Sequence, residues 1–333
     1  MIHNIDSLIC KIYDTVKSHK LDEGKYCRWL WQNEKQTREL GINEYGCADA
    51  ANILYTIGEF PSEADNRAQW VETLQNMQNP ETGLFVECTH HPIHTTAHCI
   101  AALELFEAKP KHPLTELMQY AHKDGLYALL DGLDWLEKPW PQSHQGAGIY
   151  ASMVLTDSVD NKWVDDYFDW MWENADPLTG MWKKDTIHIG TAPIYQVMAA
   201  AFHYMFNHEH AHRPLRYPEK FIDTLLDMYN NNEIGSHFGE GVGFIDVDWV
   251  YCVNRATRQT AHRFDECKNV LAEFADTLIT YLNNVDVKTH ENFNDLHMLF
   301  GTTCCLAELQ QALPGMIRSS KPLKLVLDRR PFI

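Results

Sequence analysis

The feature that most constrains this chain is a repeat. The segment Asn79-Pro80-Glu81-Thr82-Gly83-Leu84-Phe85 returns 97 residues later as Asp176-Pro177-Leu178-Thr179-Gly180-Met181-Trp182. His91 and His188 keep the same offset. After each copy comes an apolar stretch rich in small residues, HTTAHCIAALELF from His94 and GTAPIYQVMAAAFHYMF from Gly190. Such stretches occur six times, beginning near Tyr45, His94, Gly146, Gly190, Val247 and Asn294, at spacings of 49, 52, 44, 57 and 47 residues. Internal periods of this length mark stacked supersecondary units. Between them run more polar stretches with helical periodicity, at 66–77, 114–130, 162–174, 218–229 and 263–282, and the segment 5–40 supplies the first.

The two kinds of stretch must bury differently. A helix that is apolar nearly all round, with Ala, Gly and Thr for close approach, is enclosed on every side. A helix with one apolar stripe and a charged face turns that face to water. Six alternations therefore predict an all-α fold of six helical hairpins, an (α/α)6 toroid with six inner helices ringed by outer ones, over a single domain spanning 1–333. The first 40 residues close the wall. The basic and apolar tail 321–333 (KPLKLVLDRRPFI) packs on the barrel or on a second copy in a homo-oligomer. No run has the two-residue alternation of a sheet. An open solenoid needs polar capping units, and neither end reads as one.

This order of polar helix, P-x-x-G-x-F/W turn, loop and Thr/Ala-rich helix resembles the six-hairpin toroid superfamily. That superfamily includes terpenoid cyclases, protein prenyltransferase β subunits and many glycan-processing hydrolases, lyases and epimerases. The resemblance covers about residues 45–313 and implies the fold. It leaves the chemistry open, because the scaffold hosts unrelated reactions.

Charge and cysteine content exclude several classes. Lys and Arg number 28 against 46 Asp and Glu, a formal charge of -18. This disfavours general nucleic-acid binding and adsorption to anionic membranes. No stretch is long and apolar enough to span a bilayer. Nine cysteines, an odd number with no CxxC pair and mostly inside apolar runs, point to a reducing compartment such as the cytoplasm.

In a toroid the segments leading into the inner helices converge on one mouth. Their unpaired N–H groups and dipoles favour anionic groups on a ligand. Every such segment here carries Tyr, Trp, His, Asp or Glu, although helix starts attract caps for their own sake. The candidates for acid/base work are His91, His144 and His188, since imidazole titrates near neutrality, together with Asp248. Glu44, Tyr45, Asp49, His94, Trp140, Gln142, Trp182, Asp246, Trp249, Arg255, Glu291 and His297 are candidate substrate-binding residues. Hydrolysis would need two carboxyls, Asp248 with Glu44, Asp49 or Glu291. Elimination or epimerisation would need a histidine base.

Asp246-Val247-Asp248 resembles the DxDD acid of class II terpenoid cyclases, but Trp249 holds the fourth position. His94 and His98 share a helix face, yet there is no HExxH, no Cys-His pair and no prenyltransferase zinc set, so neither metal nor cofactor is expected. The His208–His212 run (HEHAH) reads as a solvated loop, and Gly239, Gly241 and Gly243 mark a tight loop into the fifth inner helix. Flat aromatics beside histidines and carboxylates favour a carbohydrate: an oligosaccharide or uronate-containing fragment handled by hydrolysis, elimination or epimerisation. A terpenoid or prenyl-diphosphate cyclase and a non-catalytic glycan-binding toroid are the alternatives.

Overall fold

The computed structural model describes residues 2–32, 37–234 and 243–333, so Gly239 and Gly241 lie outside the described residues. The chain is predominantly α-helical. Six helices are buried almost throughout: α2 (Glu44–Ile57), α4 (Pro92–Leu105), α6 (Pro139–Leu155), α9 (Ile194–His210), α11 (Phe244–Ala256) and α14 (Leu296–Ala312). Each packs on the next, and α14 packs back on α2. Against them lie helices with one buried stripe: α1 (Asp6–Ser18), α3 (Ala64–Asn76), α5 (Lys123–Gly132), α7 (Asn161–Asn174), α10 (Pro218–Asn230) and α12 (Phe264–Asn284). The α1 helix packs on α2 and α14. Short helices α8 (Thr186–Ile189), α13 (Glu291–Asn294) and α15 (Val326–Arg329) fill connections.

Three boundaries depart from the sequence expectation. The α6 helix starts at Pro139, so Trp140, Gln142 and His144 sit on the helix itself. The stretch expected over 114–130 is a 3-10 helix, Thr115–Tyr120, followed by α5. The His208–His212 run is not a solvated loop: α9 continues through His210, and His208 is buried against Trp182. Strands are minimal. Residues His3–Asn4 pair in parallel with Ile317–Arg318, and Lys20–Asp22 pair antiparallel with Lys25–Tyr26.

The repeated heptads form the same turn twice. Asn79 accepts from the backbone of Glu81 and Thr82 at 2.9 and 3.1 Å, and Asp176 accepts from Leu178 at 2.8 Å. The Thr82 and Thr179 hydroxyls each accept from the amide two residues on, both at 3.2 Å. Gly83 and Gly180 have φ of 78° and 74°, a region that L side chains avoid. A Cβ on Gly83 would lie 2.0 Å from the Pro113 carbonyl oxygen, and one on Gly180 2.5 Å from the Phe221 amide nitrogen. The turn thus presses its glycine against the next outer segment, which fixes both spacing and residue type.

The tail runs into the middle of the ring. Lys324 donates its amide to the Thr56 carbonyl of α2 at 2.8 Å. Arg329 pairs with Glu104 at the end of α4, and Arg330 is fully buried with a guanidinium nitrogen on Asn52. Phe332 lies edge-on to His94, with ring centres 4.7 Å apart. A buried ionic cluster pins this segment. Arg255 binds Glu308 through two nitrogens at 2.5 and 3.0 Å, Glu209 at 3.3 Å, and Asp328 of α15.

Three outcomes test this architecture. Gly83→Ala and Gly180→Ala should each lose at least about 2 kcal/mol from strain plus overlap. Gly132→Ala, whose added methyl meets nothing within 4 Å, should be neutral or slightly stabilising. Arg255→Ala leaves Glu308 buried without its partner and should cost about 3–5 kcal/mol. Urea unfolding of the four proteins measures all of these.

Candidate functional site

A buried hollow of about 90 Å³ lies where the inner helices begin. Its walls come from His90 and His94 at the start of α4, Trp140 and His144 of α6, and Phe202 and His203 of α9. Phe244 and Asp248 of α11, His297 of α14 and the tail residue Ile333 complete it. Surface grooves are larger, among them one of about 530 Å³ beside Lys25 and Gln69 and one of about 480 Å³ beside His212 and Arg258. Both are open, whereas the small hollow draws its titratable groups from five inner helices. Convergent chemistry outranks volume in choosing a site.

Local structure sets each position. Asn43 caps α2 by accepting from Tyr45 and Gly46, and Asp295 caps α14 by accepting from His297 at 2.9 Å. Both place an aromatic or imidazole ring in the first turn, pointing into the ring of helices. Pro92 opens α4, so His94 and His98 follow one above the other on its inner face. Arg28 ties the mouth together. It donates to Asp295 at 2.9 and 3.1 Å and to Glu87 at 2.9 Å, and lies over the Tyr45 ring. Burial would raise the Glu87 carboxyl, but hydrogen bonds from His90 and Thr89 and the charge of Arg28 hold it at about 2.

One turn deeper, Asp49 of α2 accepts from His98 at 2.8 Å and His297 at 3.2 Å on a single oxygen. Burial alone would push this carboxyl up, but the two imidazoles hold it well below the usual carboxylate range. Above it, His94 meets the Tyr45 hydroxyl at 2.5 Å and His203 meets the Ser143 hydroxyl at 2.9 Å. Burial drives these imidazoles toward the neutral form: His90 and His98 to about 4, His203 to about 3, and His94 and His144 well below the ordinary value.

Asp248 stands apart from this network. It is fully buried, and neither carboxylate oxygen has a hydrogen-bond partner among the described residues. Burial, with Asp246 nearby, raises its pKa well above the normal carboxyl value. Its carboxyl is a neutral acid facing neutral bases, the reverse of the order these groups have in water.

Of the four acid/base candidates, His144 and Asp248 line the hollow. His91 is exposed and caps α4, accepting from the Ile93 amide at 3.2 Å, and His188 is exposed on α8. Neither reaches the hollow. Among the binding candidates, His94, Trp140 and His297 line it, and Tyr45 and Asp49 support it from behind. Trp182 donates to the Met171 carbonyl and Trp249 to the Leu225 carbonyl, so both fully buried rings face the outer helices. Asp246 accepts from the Gly243 amide at the start of α11. Arg255 belongs to the ionic cluster around α15, and Glu291 pairs with Arg38 at 3.0 Å. Glu44 and Gln142 are half-buried on α2 and α6, outside the hollow. His203, His90 and Ile333 enter without having been candidates. A histidine inside an otherwise apolar buried helix was the available signal for His203.

Two groups could hold a metal ion by proximity: His94, His144 and His203, and Asp49, His98 and His297. No helix among the described residues is long and apolar enough to cross a membrane. No family model matches the chain, and neither a curated protein nor a solved structure shows a significant likeness to it.

Asp248 yields a pH prediction. The folded protein keeps this proton where the unfolded chain, with a normal value of 3.8, has lost it. Stability therefore falls as pH rises above that value, by up to about 1.4 kcal/mol per pH unit. Asp248→Asn removes the effect, so its advantage over the parent should be absent near pH 4 and grow toward pH 7. Urea unfolding at several pH values in the presence of EDTA reads the difference, and parallel profiles would refute it.

Proposed function

We propose that this chain is a six-hairpin (α/α)6 toroid enzyme of the glycan-processing kind, with its acid/base centre in the hollow at the start of the inner helices. The observation that carries this reading is Asp248, a buried and unpartnered carboxyl opposite histidines held neutral. An enzyme needs an acid that keeps its proton at neutral pH and a base that lacks one. Asp248 fits the first role and His144 the second, with Asp49 fixing His297 beside them.

Among the described residues, Asp248 is the one carboxyl lining the hollow. Hydrolysis of a glycoside calls for two. The set therefore favours elimination or epimerisation, in which a base removes a proton beside a carbonyl or carboxylate and an acid returns one. The helix starts around the hollow suit a uronate carboxylate, and Trp140 offers a ring face at its wall. Ligand pockets usually measure about 300–1,000 Å³, so a sugar enters only with displacement of a wall residue such as Ile333.

One observation favours a second reading. A neutral buried Asp248 ringed by Trp140, Phe202 and Phe244 is also what protonation of an alkene requires, with ring faces to stabilise a carbocation. The five histidines at the walls weigh against it.

Thermal melting with uronates, neutral oligosaccharides and prenyl diphosphates separates the readings. A uronate at 100 times its dissociation constant should stabilise the protein by about 2.7 kcal/mol. Where turnover follows, Asp248→Asn should lose at least about 100-fold in kcat. A shift with prenyl diphosphates alone would reverse the ranking.

A further inference from the structure

We infer that His94, His144 and His203 form a binding site for one divalent first-row transition-metal ion of the zinc class. The inference stands on the side-chain geometry and is independent of the sugar reading. One nitrogen from each of the three imidazoles lies within 4.8 Å of the others. They come from α4, α6 and α9, consecutive members of the ring that pack directly on one another, so a rigid backbone sets their spacing.

The free nitrogens are defined by the partners of the others. The Ser143 hydroxyl lies 2.5 Å from the Trp140 carbonyl, to which it can only donate. It must then accept from His203 Nδ1–H, which leaves the Nε2 lone pair of His203 open. The Tyr45 hydroxyl pairs with Nδ1 of His94, and in the tautomer where Nδ1–H donates to it the Nε2 lone pair is open as well. His144 makes no hydrogen bond among the described residues. Imidazoles that ligate metals carry this kind of outer hydrogen bond, which fixes tautomer and ring orientation.

Asp248 supplies an independent sign. Both oxygens of this buried carboxyl lack a partner among the described residues, which is costly for any polar group, and it lines the same hollow as the three imidazoles. A divalent ion would give that carboxylate its counter-charge, either as a fourth ligand or as acceptor for a metal-bound water. The hollow of about 90 Å³ has room for an ion and a small ligand. Three nitrogen donors favour zinc, copper, nickel or iron over magnesium or calcium, and three protein ligands with an open position are the catalytic zinc arrangement. The neighbouring Asp49, His98 and His297 differ: there one carboxylate oxygen already accepts from both imidazoles, so the nitrogens that face it are engaged.

The test uses the full chain carrying His210→Ala and His212→Ala, to remove side chains of the His-rich run. After chelator treatment, Co2+ should bind one per chain with a visible ligand-field band, and Zn2+ should displace it. His144→Gln and His203→Gln should abolish the band, Ser143→Ala should weaken binding by about 10–100-fold, and Asp49→Asn should leave uptake intact. X-ray absorption of the zinc-loaded parent needs no variant at the site, and should report imidazole nitrogens at about 2.0–2.1 Å without sulfur. The proposal is overturned by no uptake at micromolar metal, by uptake unchanged in folded His144→Gln, by uptake lost in folded Asp49→Asn, or by sulfur ligation.

Discussion

The inner helices have no solvent face, and the rest of the structure follows from that restriction. Each is enclosed by two neighbours in the ring, outer helices and the filled centre. A polar side chain on such a helix cannot fall back on water, and leaving it unpaired costs about 1–3 kcal/mol. Many of the interior polar groups are accordingly paired. Asn207 donates to the Ala147 carbonyl and to Tyr167, Asn254 donates to Glu308, and Asp49 takes two imidazoles. Asp248 differs in having both carboxyl oxygens unpartnered among the described residues, where Asp49 and Asp176 leave only one.

The same restriction explains the tail. A ring of six helices encloses space that must be filled, since voids forfeit packing contacts. Here the filling is the segment through Phe332 and Ile333. Arg330 travels with it and donates to Asn52 and, at 3.3 Å, to the Pro331 carbonyl. Burial pulls the Arg330 pKa down to about 10, against the pull of nearby anions including Asp49. The anionic Asp49 and cationic Arg330 thus share one low-dielectric interior, where charges are tolerated only in company. The tail is therefore a wall of the hollow as well as a plug of the ring, and Arg255 holds it in place from the far end through Asp328.

The helices and their order were legible in the sequence because composition alone decides whether a helix is enclosed or half-exposed. The repeated turn was legible because its chemistry admits few residues: an Asx acceptor, a threonine hydroxyl and a glycine at positive φ. Rotation of each inner helix was not legible. An amphipathic helix declares its inward face, but a helix apolar on all sides has no such asymmetry. Hence Trp249, expected at the mouth, turns toward the outer helices while His203 turns in; Trp182 is on no inner helix but in the repeated turn, where it packs on α7. His91 and His188 share a repeat position but precede their inner helices by different amounts, one at the cap of α4 and the other on α8, five residues before Pro193 caps α9. The contribution of Ile333 depends on the tail meeting residues far from it in sequence, such as His94 and His144, which no local pattern encodes.

The two proposals make opposite demands on His144. As a base it must keep a lone pair for the substrate, and as a ligand it commits that lone pair to an ion. Both cannot hold at one moment. His297 lines the hollow and is held from behind by Asp49 at 3.2 Å, which fixes its ring. With the metal resident, Asp248, unpaired in the bare protein, would be the counter-charge rather than the acid. Metal occupancy therefore decides whether His144 and Asp248 serve as base and acid or as ligand and counter-charge, while Asp49 holds His297 in either case.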